Sequence, residues 1–129
     1  MCEADIVFLD PDNGLLVKSV RRGSYKSTKY CFPEEIADYL SLGKSVVFYN
    51  HRQRKKYENY VLGIYDTLFS MDEIKGKHID ILTFPFYSIR DYFIISENEM
   101  HQQKIEKAIA KVCQRKTRKN EMLCVRNII

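Results

Sequence analysis

The chain has 129 residues, 45% of them hydrophobic and 29% charged, and a formal net charge of +4. That size and balance point to one globular domain and exclude a low-complexity or collagen-like chain. The mild positive charge suits an anionic partner without requiring one, and no apolar run approaches membrane-spanning length.

The stretch from Asp5 to Gly14 (Asp-Ile-Val-Phe-Leu-Asp-Pro-Asp-Asn-Gly) organises the rest of the chain. Four consecutive apolar residues read as a strand covered on both faces. The Pro-Asp-Asn-Gly after them cannot prolong a central strand and reads as a tight turn. Polar groups should therefore emerge at the carboxyl end of a buried strand, where open α/β sheets bind their ligands. Leu15 to Val20 is a second apolar-rich piece, and Arg21 to Lys29 reads as a solvated basic loop, with phosphate contact as its functional alternative.

Pro33 to Leu42 is predicted to be a helix. Proline suits the first turn, Glu34 and Glu35 match the positive end of the dipole, and Gly43 suits the position past the end. Ile36, Tyr39 and Leu40 form its apolar stripe. Ser45 to Tyr49 reads as a second buried strand. Strand, helix and strand over this length make a crossover unit, so the two strands should run parallel. Asp10, Asp12 and Asn13 should then share one rim with Asn50 and His51.

From about Gln53 to Phe69 the pattern is helical, with Tyr57, Tyr60, Val61, Ile64, Tyr65 and Leu68 clustering on one side. Ile79 to Phe84 and Asp91 to Ile95 read as strands of an antiparallel hairpin. Ser96-Glu97-Asn98-Glu99 fits a capping box opening a helix to about Arg115, with Ile105, Ala108, Ile109 and Val112 inward. Met122 to Ile129 is a last strand-like piece. The fold class expected is α/β, a mixed sheet with parallel crossover strands followed by an antiparallel hairpin, in three Rossmann-like layers and incomplete.

Four residues are the candidate catalytic set: Asp10, Asp12, Asn13 and His51. A carboxylate held by a proline-stiffened turn can accept a hydrogen bond from a planar amino group, and a nearby histidine can act as general base. Arg52, Arg54, Lys55 and Lys56 are candidate phosphate contacts, because cations at a helix N-terminus oppose its dipole and an anion would relieve them. Tyr49 is the candidate for stacking on a base. Asp10 with Asp12 also suits a hard cation such as magnesium. Glu97 and His101 lack a third ligand nearby in sequence, so no metal site is expected there. None of Cys2, Cys31, Cys113 and Cys124 forms a C-x-x-C pair, and no secretory leader precedes the first strand. The expectation is reduced thiols in a cytoplasmic protein.

Strand, Asp-Pro-Asp-Asn, helix, strand, helix and hairpin together resemble the second half of class I S-adenosylmethionine-dependent methyltransferases. Phe8-Leu9-Asp10-Pro11-Asp12-Asn13 is similar to the D/N-P-P-Y/F element of the amino-methylating members. Asp10 and Pro11 match it position by position; Asp12 stands where the second proline would be and Asn13 where the aromatic would be. The resemblance implies that Asp10 and the Pro11 backbone hold a target amino group of nucleic acid. It also implies that Ser45 to Tyr49 is the family's fifth strand and the Ile79–Ile95 hairpin its closing reversed pair. The glycine-rich loop that binds S-adenosylmethionine in that family has no counterpart here. The expected function is thus a methyltransferase-like domain of nucleic-acid-modifying type that is not competent alone. Two other readings stand beside it: a non-catalytic homodimeric binding module pairing through its first strand, and a magnesium-dependent nuclease using Asp10 and Asp12.

Overall fold

The computed structural model describes residues 5–16, 21–52, 56–85, 89–114 and 125–128. The chain forms a mixed α/β fold around a five-stranded sheet of order β1-β4-β6-β5-β7. β1 (Ile6–Leu9) ends at Asp10, just before the proline that cannot donate to a ladder. Two short strands, β2 (Gly14–Leu15) and β3 (Tyr30–Cys31), then pair with each other in parallel beside the main sheet. The stretch 17–20 lies outside the described residues.

α1 (Pro33–Ser41) begins on proline, and the Glu35 carboxylate accepts the Phe32 N–H at 3.1 Å. It stops where Gly43 takes a φ of +78°, a conformation glycine reaches without a Cβ penalty. Ile36, Ala37 and Leu40 are buried and Tyr39 packs at their margin. The chain returns as β4 (Ser45–His51), parallel to β1 in the register Ile6↔Ser45 through Leu9↔Phe48. The crossover read from the sequence is present. β4 runs two residues past the expected Tyr49, because Asn50 and His51 still pair with Asp91 and Arg90 across the sheet.

α2 (Tyr57–Phe69) buries Tyr60, Ile64 and Leu68. Its expected first turn at 53–55 lies outside the described residues. Ile74, in the connection that follows α2, is fully buried. β5 (His78–Phe84) and β6 (Arg90–Ser96) are antiparallel, and β6 is also antiparallel to β4. The reversed strand is therefore wedged between two strands that run the same way as β1. α3 (Glu99–Gln114) comes next, and β7 (Val125–Ile128) pairs antiparallel with β5. No helix among the described residues is long and apolar enough to cross a membrane.

The start of α3 differs from the expected box. Ser96 is the last residue of β6, paired with His78, so it cannot cap. Asn98 does so instead, its Oδ1 accepting the His101 N–H at 2.8 Å. Ile105 and Ile109 are buried as expected, but Ala108 is exposed and His101 takes the buried position one turn earlier. Strand alternation sorts the apolar residues into two clusters. One joins Val46, Phe48, Phe93, Ile95, Ile79 and Ile81 to α1 and α2; the other joins Leu82 and Ile94 to Ile105 and Ile109 of α3.

Candidate functional site

The parallel register delivers the acidic turn and the end of β4 to one rim. Leu9 pairs with Phe48, so Asp10 leaves the sheet at the level of Tyr49. Three residues on, the Asn13 carbonyl accepts the His51 N–H at 3.0 Å. Asp10, Asp12 and His51 are exposed and Asn13 half-buried, which leaves two carboxylates and an imidazole facing solvent at the carboxyl ends of β1 and β4. Tyr49 is half-buried, its hydroxyl 3.5 Å from His51 Nδ1 and its ring 5.7 Å from that of Tyr92. Partial burial raises its hydroxyl pKa, and the Asp10 carboxylate adds to that rise.

What pins the turn is Asn50. Its Oδ1 accepts the Leu15 N–H at 2.7 Å, and its Nδ2 donates to the His51 carbonyl at 3.2 Å and to the Tyr60 hydroxyl at 3.1 Å. Gly14 passes directly beneath this carboxamide with a φ of +112°. A Cβ there would stand 2.7 Å from Asn50 Cα and run into the Asn50 side chain. Glycine is needed here for backbone angle and for space together. Asn13 N–H to Lys29 O and Leu16 N–H to Cys31 O, both 2.9 Å, hold the far side of the turn.

Beyond Asn50 the hydrogen bonds run to Asp91, whose carboxylate is fully buried. Arg52 grips it with two bonds, Nε to Oδ2 at 3.0 Å and Nη2 to Oδ1 at 2.8 Å. Tyr60 donates to Oδ2 at 2.8 Å and Thr83 to Oδ1 at 2.7 Å. Four donors on one carboxylate compensate the desolvation of a buried charge. The guanidinium also lies 4.9 Å from the Tyr57 ring centroid. These bonds to Asp91 raise the Arg52 pKa further, and burial followed by the Asp91 charge raises that of Tyr60. Asp91, Tyr60 and Thr83 are absent from the sequence-based site and Asn50 enters it only as a neighbour on the rim, yet a signal for their burial exists. Asp91 alternates with Phe93 and Ile95, Thr83 with Ile81 and Ile79, and Asn50 with Phe48 and Val46, which places all three polar residues on the core face.

The expected phosphate contacts separate. Arg52 is committed to Asp91 with a side chain only 26% exposed, Lys56 is exposed just ahead of α2, and Arg54 and Lys55 lie outside the described residues. In the basic loop, Arg22 pairs with both carboxylate oxygens of Glu34, at 3.1 and 2.9 Å. Glu97 and His101 are engaged elsewhere. Glu97 takes Lys77 Nζ at 3.3 Å, and His101 Nδ1 lies 2.8 Å from Ser45 Oγ. Among the described residues no three His, Cys, Asp or Glu side chains converge as a metal-binding group. Cys31 is buried, which pushes its thiol pKa up to about 12, with the Glu35 charge adding to the rise.

No family model, no curated protein and no solved structure matches the chain.

Proposed function

We propose that this chain is a methyltransferase-like domain that handles a nucleic-acid target, with three Rossmann-like layers of which it supplies the target-binding half. One observation carries the reading: the Asp10–Asn13 turn and His51 leave two adjacent parallel strands at the same end, solvent-facing, and the turn is locked to β4 from beneath. The reversed β6, set between β4 and β5, supports the likeness to the family's closing pair. In this reading Asp10 and Asn13 accept and orient a planar amino group, His51 assists as a base, and Tyr49 lies beside the ring of the target. Lys56, with Arg54 and Lys55, tracks the phosphates, whereas Arg52 secures Asp91. The chain carries no glycine-rich donor loop, so donor binding is assigned elsewhere.

Fluorescence anisotropy with labelled single-stranded oligonucleotides tests this. The expected result is saturable, salt-sensitive binding that prefers amino-bearing bases. Asp10→Ala and His51→Ala should each weaken it several-fold, and Lys56→Ala should weaken it evenly across sequences. Absence of binding at low salt, or rim variants that bind as the parent does, would overturn the reading. Low-micromolar affinity for S-adenosylmethionine in calorimetry would overturn the assignment of donor binding elsewhere.

A further inference from the structure

β1 lies at the edge of the sheet, and among the described residues no strand pairs with its outer side. The Ser45 N–H donates to the Asp5 carbonyl at 2.9 Å, and the register begins with Ile6 opposite Ser45. In a parallel ladder with that start, Asp5, Val7 and Leu9 turn their backbone groups toward β4, and Ile6 and Phe8 turn theirs outward. The side chains of these same two residues are the exposed ones, at 44% and 55%, while Val7 and Leu9 are half-buried. Within Ile6–Leu9 there is no lysine, proline or bulge, the usual devices that blunt an edge.

We infer that this edge pairs antiparallel with a second copy of the chain about a two-fold axis through Val7. An isologous contact must be its own complement. Ile6-Val7-Phe8 meets that requirement, being a large apolar residue on either side of a central valine. With the axis at Val7, Ile6 falls opposite the partner's Phe8, and Phe8 opposite the partner's Ile6. Both are pairs whose backbone groups face outward, so each exchanges two hydrogen bonds. The even register also keeps the exposed side chains on one face, where Phe8 already lies 6.0 Å from the Tyr92 ring. A foreign strand could form the same hydrogen bonds; the second copy is the occupant for which this sequence itself supplies the apolar partner at both positions. The contact uses neither Asp10 nor His51, so it stands whatever the rim binds.

Sedimentation velocity of the full chain across a concentration series is the test. The expected result is a reversible dimer that becomes monomeric at the same concentrations in Ile6→Lys and Phe8→Lys, with unchanged far-ultraviolet circular dichroism. Val7→Cys should form a disulfide-linked dimer on mild oxidation, because two residues facing each other in a non-hydrogen-bonded pair lie within disulfide reach. The parent chain, with its own four cysteines, should not. A parent that stays monomeric would overturn the inference. In that case, slow hydrogen exchange at the Ile6 and Phe8 amides would mean that another segment covers the edge, and fast exchange that the edge stays open. A dimer that persists in both lysine variants would overturn it as well, by assigning the contact to another surface.

Discussion

The amino end of the sheet and its carboxyl end both bury polar side chains, but they dispose of them differently. At the amino end, Ser45 Oγ accepts the Glu97 N–H at 2.9 Å and meets His101 Nδ1, and Lys77 Nζ bonds the Glu97 carbonyl at 2.9 Å. His78 Nε2 lies 3.2 Å from the Asp80 carboxylate. The Ser45 contacts fasten the start of α3 to β4, the Lys77 bond ties the two ends of the hairpin together, and the His78–Asp80 contact lies within β5. At the carboxyl end, Asn50, Tyr60, Thr83, Arg52 and Asp91 are equally occupied with each other. There, however, the same framework presents Asp10, Asp12 and His51 to solvent. Buried polar residues alone therefore do not mark a site; what distinguishes the carboxyl end is the set of exposed groups its buried network holds in place.

That contrast can be broken by substitution, and the largest effect is expected at Arg52. Arg52→Ala would leave Asp91 buried with only its two hydroxyl donors, a loss of about 3–5 kcal/mol in unfolding free energy. Urea titration measures it, and a loss below about 1 kcal/mol would mean that the carboxylate is not held as described. Gly14→Ala comes next. The left-handed backbone and the approach to Asn50 Cα act together, and a cost of at least about 2 kcal/mol is expected.

The third test uses pH. Burial raises the folded Cys31 pKa from 9.0 to about 12. The stabilising contribution of the protonated thiol is therefore intact below pH 9 and is lost as the pH climbs toward 12, since the unfolded chain releases its proton first. The slope in that window should approach about 1.4 kcal/mol per pH unit for this one group. Chemical denaturation of Cys31→Ala should show a correspondingly flatter alkaline limb.

Smaller effects sharpen the comparison further. Lys77→Ala at the amino end removes a partly exposed ion pair, so about 1 kcal/mol or less is expected. His51→Ala at the carboxyl end should leave stability within about 0.5 kcal/mol, because the exposed imidazole is not needed for its own backbone bond to Asn13. A neutral effect on stability combined with weakened oligonucleotide binding would separate what the rim presents from what supports it.

Much of this arrangement was legible in the chain itself. The apolar run of β1, the proline and glycine that bound α1, and the crossover length together imply parallel strands, and hence one rim for Asp10 and His51; the run is not covered on both faces as expected, because β1 is an edge strand with Ile6 and Phe8 exposed. The alternating hairpin was equally readable. Other features were not, for identifiable reasons. β2 and β3 are two residues each, too short to show a period. The last residues of β4 are polar and resemble a loop until their partners on β6 are known. Arg52 sits in a basic run, where composition suggests phosphate, and only the register that brings Asp91 opposite Asn50 reveals its partner. His101 could have been found, since it precedes Ile105 and Ile109 at four-residue steps on the buried stripe.

The first and last strands occupy opposite flanks of the sheet, with three strands between them. At the usual interstrand spacing of about 4.8 Å, that separates β1 from β7 by about 19 Å. An affinity handle or dye fused behind β7 would therefore start from the flank of the sheet opposite Ile6 and Phe8. Placement of a tag thus becomes a practical choice: at the rear it leaves the β1 edge clear for the measurements that ask what covers it.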